Sequence, residues 1–126
     1  MHDVCSHPDI RDLYLAADAM VTDYSSTMFD FAITGKPMVF FAYDLEKYRD
    51  SVRGFYFDLE PVAPGPVVQT SAQVLAALGD LDAVRRDSAE RYAAFRARWC
   101  DLDDGHATDR VIDLLLSGRL RGGAGR

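Results

Sequence analysis

Ala19-Met20-Val21-Thr22-Asp23-Tyr24-Ser25-Ser26-Thr27-Met28-Phe29-Asp30 is the stretch that decides the fold. Its first four residues are a short apolar run, the pattern of a buried parallel strand. Asp23-Tyr24-Ser25-Ser26 then reads as a turn, and Thr27 to Ile33 as a helix. That helix ends at Thr34-Gly35-Lys36-Pro37, where glycine suits a C-cap and proline stops continuation. Met38-Val39-Phe40-Phe41 is the next buried strand. On the upstream side, Val4-Cys5 reads as the end of a short strand. Pro8 suits a first helical turn with Ser6 or His7 before it. Residues 9–17 put Ile10, Leu13, Tyr14 and Ala17 on one helical face. Strand, helix, strand, helix, strand within about 40 residues is a βαβαβ rhythm, which requires a parallel sheet and right-handed crossovers.

Downstream, Asp44 to Arg53 reads as a short charged helix and 54–59 as a loop or strand-like segment. Ala63-Pro64-Gly65-Pro66 must turn, because two prolines around a glycine cannot lie inside a helix. Val67-Val68 is a short final strand. Thr70 or Ser71 caps a helix through Leu78. Residues 82–98 form a long helix, Asp103-Asp104-Gly105 a turn, and His106 to Leu116 a last helix with Val111, Ile112, Leu114 and Leu115 on its apolar face. The Gly- and Arg-rich end, 117–126, has almost nothing to bury and reads as a disordered tail. The expected organisation is therefore one α/β unit over 1–116.

The 126 residues can bury a core without staples. A net charge of −6 excludes nucleic-acid binding through a broadly basic surface. The surplus lies in the first half, since 1–60 hold 5 basic and 11 acidic side chains whereas 61–126 hold 9 of each. No apolar run approaches the roughly 20 residues of a membrane span. The start lacks the basic-then-apolar pattern of a signal peptide. Cys5 and Cys100 make neither a CxxC nor a metal-spaced set, so a reducing, cytoplasmic setting is expected.

Ligands of doubly wound sheets bind at the carboxyl ends of the strands. A helix N-terminus there offers free N–H groups and a partial positive charge, which suits phosphate. Ser25, Ser26 and Thr27 add hydroxyls without bulk, and Asp30 falls one turn after Ser26, where a carboxylate could accept from ribose hydroxyls. The plainer reading stays open: Asp23, Ser25 or Ser26 could simply be an N-cap.

At these residues the sequence resembles the CDP-glycerol glycerophosphotransferase family, which builds the poly(glycerol phosphate) of teichoic acids. The resemblance runs from about Val4 to Leu116. It is carried by Thr22-Asp23-Tyr24-Ser25-Ser26, Phe29-Asp30-Phe31, Lys36-Pro37-Met38, residues 43–50, Arg53-Gly54-Phe55-Tyr56-Phe57-Asp58, Ala63–Pro66 and Asp103-Asp104-Gly105. Their joint order and spacing are more specific than any one of them. The resemblance implies a Rossmann-like parallel sheet with flanking helices, forming part of the C-terminal, donor-binding domain of a GT-B-type enzyme. It implies transfer of glycerol phosphate from CDP-glycerol to a lipid-linked polymer, with release of CMP. On that basis Ser25, Ser26 and Thr27 would cradle the pyrophosphate, Asp30 would hold ribose hydroxyls, and Asp23 would shape the turn or touch the ligand. Arg53 would clamp phosphate, unless it is an ion pair with Asp50 or Asp58. Gly54 would allow close backbone approach. Asp104-Gly105-His106 would bring a second helix start to the phosphates, with a solvated His106 as the plainer alternative.

The family's catalysis is attributed to histidines, one in each domain, and none of His2, His7 or His106 matches the C-domain one. No catalytic residue is therefore assigned. The base and the N-terminal acceptor domain are expected elsewhere. No cofactor is expected, although Mg²⁺ could accompany the diphosphate. The implied partners are CDP-glycerol or CMP and the polymer acceptor, with only peripheral contact at the inner face of the membrane. The aromatics Tyr43, Tyr48 and Phe55 to Phe57 could wall the donor cleft or pack a core. Arginines 85, 86, 91, 96 and 98 interleave with Asp82, Asp87 and Glu90, which reads as a solvated, ion-paired helix face. Two other functions remain open: a non-catalytic nucleotide-binding or accessory module, and a domain of a related nucleotide-sugar GT-B enzyme.

Overall fold

The computed structural model describes residues 1–43 and 59–117. A parallel sheet runs in the order β1 (Met20–Thr22), β2 (Met38–Phe41), β3 (Val67–Val68). Met20 lies opposite Met38, Thr22 opposite Phe40, and Phe40 opposite Val67. Helix α1 (Ile10–Ala16) precedes β1, α2 (Thr27–Ala32) carries the chain from β1 to β2, and α3 (Leu59–Val62) leads into the turn before β3. Helices α4 (Ser71–Gly79), α5 (Leu81–Trp99) and α6 (Ala107–Leu116) follow. The expected α/β architecture is present, with all three expected inner strands in register.

β2 is the dry centre. Met38, Val39 and Phe40 are each 0 % exposed, which is why this strand reads as an unbroken apolar run. Met38 and Phe40 join Met28, Phe31 and Ala32 of α2, Ala63, and Phe95 of α5 in one cluster. Val39 points to the other face by strand alternation. The stripe Val84, Ser88, Tyr92 and Phe95 recurs at helical spacing and turns one side of α5 inward.

The turn 63–66 is fitted to β2 rather than merely connecting elements. Ala63, Pro64 and Gly65 are buried, and Phe40 N–H donates to Pro66 O at 2.9 Å. A Cβ on Gly65 would collide with the backbone carbonyl of Met38. Gly35, with φ +72°, occupies the left-handed region expected after α2. Two long-range clasps fix the helices to the sheet. The Lys36 ammonium donates to Tyr14 O at 3.1 Å and Leu15 O at 2.7 Å, satisfying carbonyls at the end of α1. The Tyr92 hydroxyl donates to Lys36 O at 2.9 Å and lies 3.2 Å from Ala32 O at the end of α2.

Two expectations need correction. Val4-Cys5 is a turn: Cys5 N–H donates to Asp3 Oδ1 and His7 N–H to Val4 O, both at 2.9 Å. These local bonds take groups that a strand would have offered to a ladder. Helix α1 is capped by Asp9, not by Ser6 or His7, because the Asp9 carboxylate accepts from both Arg11 N–H and the Arg11 guanidinium. Ile10 is consequently half exposed, and the inward face starts at Leu13. Elsewhere the caps agree. Thr70 and Gln73 form a complete capping box on α4. The expected helix over 44–53, the segment to residue 58 and the tail beyond Ser117 lie outside the described residues. The apolar residues of α6 are all exposed, and nothing among the described residues covers them.

Gly65→Ala should lower stability by about 3 kcal/mol, the upper end of overpacking costs, seen as a lower urea midpoint at unchanged slope. Tyr92→Phe should cost about 1–2 kcal/mol. Burial pushes the Tyr92 phenol up to about 12, against an ordinary value of 10. Its contribution is therefore complete below pH 10 and fades between pH 10 and 12, as the unfolded chain ionises first. Stability of the parent should fall more steeply than that of Tyr92→Phe across that window.

Candidate functional site

β1 delivers the chain to the turn Asp23–Ser26, and α2 starts at its carboxyl end. The two serines divide the work. Half-buried Ser25 braces the helix: its Oγ accepts from Thr27 N–H at 3.4 Å and from the Thr27 hydroxyl at 3.1 Å, and its carbonyl accepts from Met28 N–H. Ser26 occupies the N-cap position, yet its side chain makes no capping bond and is exposed. Its carbonyl accepts from Phe29 N–H at 3.1 Å. Capping is thus done by Ser25, and the Ser26 hydroxyl remains open to solvent at a helix start. Asp23 and Asp30 are both exposed on the same turn and first helical turn. The Asp30 charge reaches inward: the Tyr14 phenol is pushed up chiefly by burial and additionally by Asp30.

The Asp104–His106 corner follows the end of α5, which touches α2 at Phe29. Cys100, at the end of α5, donates its thiol to Phe29 O at 3.6 Å, and Asp103 N–H donates to Cys100 O at 3.2 Å. The corner then locks itself. Arg110 Nη1 sits 2.7 Å from both Asp104 oxygens, and His106 N–H donates to Asp104 Oδ1 at 2.9 Å. These bonds, the Arg110 one foremost, hold the Asp104 carboxyl below its usual range. Gly105 takes φ +82°, which a side chain would resist. The exposed His106 ring meets Asp109 at 3.2 Å. Asp104 is therefore occupied by its own helix, and what this corner offers outward is the start of α6.

Of the residues singled out from sequence, Asp23, Ser25, Ser26, Thr27 and Asp30 come together on one turn. Asp104, Gly105 and His106 form a separate, self-locked corner after α5, and Arg53 and Gly54 lie outside the described residues. His7 is paired with Asp12 at 3.2 Å beside the start of α1. Arg110, Trp99 and Phe29 carry structure at the site that local pattern did not single out. Only the Asp104/Arg110 charge pair left a readable signal. The larger clefts lie elsewhere. One of about 240 Å³ lies between α5 and the Gly35–Pro37 turn, at the amino end of β2. Among the described residues, no group of three His, Cys, Asp or Glu could hold a metal ion, and no helix is long and apolar enough to cross a membrane.

Comparison with known proteins gives a consistent picture. The family model for CDP-glycerol:poly(glycerophosphate) glycerophosphotransferases matches residues 1–117. The teichoic acid glycerol-phosphate transferase of Staphylococcus aureus is 45% identical over 114 residues, which is 90% of this chain and 29% of that protein. The teichoic acid poly(glycerol phosphate) polymerase of Bacillus subtilis is 39% identical over 91% of this chain and 15% of its own length. A solved structure of a variant of the wall teichoic acid polymerase TagF superposes with TM-score 0.81 at 38% identity, covering 92% of this chain and 28% of that one. A TagF variant soaked with CDPG gives TM-score 0.79 at 37% identity, over 91% of this chain and 28% of that one. The chain thus spans less than a third of the length of these relatives.

The division between the serines is testable by urea unfolding. Ser25→Ala should cost about 1 kcal/mol, the usual cost of a lost cap. Ser26→Ala should stay within about 0.5 kcal/mol of the parent.

Proposed function

The chain belongs to the CDP-glycerol:poly(glycerophosphate) glycerophosphotransferase family, and on that premise we propose that it is donor-binding machinery. It forms part of the half of a GT-B-type enzyme that holds CDP-glycerol while glycerol phosphate passes to a growing teichoic acid chain and CMP leaves. The observation that carries this reading is the Ser26 hydroxyl, left open at a helix start at the carboxyl end of a parallel strand. The likeness to a TagF variant soaked with CDPG supports it.

In this reading the terminal hydroxyl of the acceptor attacks the β-phosphorus of the donor, and the bond to the CMP oxygen breaks. The Ser26 hydroxyl, at the positive end of α2, faces the charge that builds on departing CMP, where a preorganised donor acts most strongly; the Thr27, Met28 and Phe29 N–H groups are already taken by Ser25 and Ser26. Ser25 and Thr27 keep that donor in place. Asp30 accepts from ribose hydroxyls, and Asp23 lines the turn. Arg53 supplies a bidentate clamp with Gly54 beside it, and the start of α6 at Asp104-Gly105-His106 adds a second dipole. The base that takes the acceptor proton lies outside this chain, in the portion its relatives possess and it does not span. His7 and His106 are each paired with a carboxylate at a helix start. The same portion carries the acceptor domain that receives the lipid-linked polymer. The site needs no resident cofactor, Mg²⁺ being at most a counter-ion of the diphosphate. Its working place is the cytoplasmic face of the membrane, touched peripherally. Those two paired histidines also favour a second reading, a nucleotide-binding module without chemistry of its own.

Calorimetric titration with CMP and CDP-glycerol tests the donor site. Both should bind, and Ser26→Ala combined with Asp30→Ala should weaken binding about 10- to 100-fold, the range for two ligand hydrogen bonds, one of them to a carboxylate. Absence of binding at millimolar ligand sinks the assignment. Turnover of donor and acceptor by this chain alone would overturn the placement of the base and exclude the module reading.

A further inference from the structure

Helix α2 has only six residues, too few to hold its own start in place. Something outside it must aim the Ser25–Thr27 turn. Its first turn contains Phe29, and this residue is gripped on three sides by the end of α5. The Phe29 ring stacks on Phe95 with centroids 5.3 Å apart and planes 22° apart. It meets Trp99 edge to face at 5.7 Å and 67°. Its carbonyl accepts the Cys100 thiol at 3.6 Å. Phe29 N–H in turn donates to Ser26 O at 3.1 Å. One side chain and one backbone hydrogen bond therefore separate Trp99 from the N-cap residue.

Trp99 is itself seated. The Arg98 guanidinium carbon lies 4.8 Å from its ring centroid, within cation–π range. At 38 % exposure the indole is not core filling in the manner of Phe95, which is 3 % exposed. Immediately after it the chain passes through Cys100 and Asp103 into the Asp104–His106 corner. Both helix starts in the site thus hang on the same end of α5.

We infer that Trp99 is a positioning residue for donor binding, acting through Phe29 to set the Ser26 turn and to tie it to the start of α6. This rests on the donor-site reading above. The expected ligand class is a cytidine nucleotide with its phosphate against the Ser26 turn. Tightening of that turn on a ligand must alter the Phe29–Trp99 contact.

The chain contains a single tryptophan, so its fluorescence reports the surroundings of that one ring, the Phe29 contact among them. Titrating the full chain with CMP should change Trp99 emission, with the same Kd that calorimetry gives. Trp99→Ala should raise that calorimetric Kd about tenfold, while Trp99→Phe, which keeps an edge-to-face ring, should stay within about threefold. Val84→Ala, near the far end of α5 and remote from Phe29, should lower Tm but leave Kd unchanged. The inference fails if Trp99→Ala binds CMP like the parent, or if Val84→Ala weakens binding as much. Should Trp99→Ala not fold, the parent decides: emission that stays constant while calorimetry shows saturation overturns positioning and leaves the donor site standing. No calorimetric binding by the parent overturns both.

Discussion

β2 has to be kept dry on both faces while pairing on both edges, and most of the molecule follows from that constraint. Parallel neighbours cannot be reached by hairpins, so each edge of β2 requires a crossover. On the β1 side the crossover is α2, with Met28, Phe31 and Ala32 packed inward. On the β3 side the chain returns through 63–66, close enough that only glycine fits against the Met38 carbonyl. Lys36 then satisfies carbonyls at the end of α1, and Tyr92 clasps the Lys36 carbonyl and lies beside Ala32 O, which also accepts from Gly35 N–H. A short α2 follows from the same geometry, since it has only to carry the chain from one end of β1 to the start of β2.

The position of the site is a consequence. With the strands parallel, the helix starts converge at the carboxyl ends of the strands, and the amino ends receive closed turns such as Thr34–Pro37. The Ser25–Thr27 turn lies at a carboxyl end. The 240 Å³ cleft beside Pro37 lies at an amino end, its mostly apolar walls interrupted by Arg85, Ser88 and Arg96. Charge also argues for local donors. The half of the chain that carries the turn is strongly acidic, so in the proposed reading an anion there would be held by local donors such as the Ser26 hydroxyl rather than by bulk attraction.

Much of this was legible in the order of residue types. The apolar runs at 20–22, 38–41 and 67–68 gave strands, but only β2 is dry on both faces; β1, expected to be buried, leaves Val21 43 % exposed because nothing among the described residues pairs or packs on that side. Gly35, Thr70 and the Pro-Gly-Pro turn announced themselves through backbone chemistry that few other residues can supply. Val4-Cys5 misled because two apolar residues say nothing of whether a partner strand is adjacent, and Asp3 offered a nearer hydrogen bond. At the site, the strand–turn–helix pattern located the hydroxyls. It could not say that Ser25 braces the helix while Ser26 stays open, since that depends on a rotamer. Tyr92 reaching Lys36, and Trp99 reaching Phe29, span 56 and 70 positions of sequence, beyond any periodic signal. The exposed apolar residues of α6 show the converse: amphipathic pattern forecasts a face to be covered without supplying the cover.

The central claim is that a nucleotide phosphate is held at the carboxyl end of β1 by the start of α2. Amide chemical-shift mapping of the ¹⁵N-labelled chain during a CMP titration addresses it most directly. The account predicts that the largest perturbations fall on Ser25, Ser26, Thr27 and Met28, with Trp99 Nε1–H following at the same ligand concentration. Perturbations centred instead on Gly35, Ser88 and Tyr92, around the cleft at the amino end of β2, would contradict it.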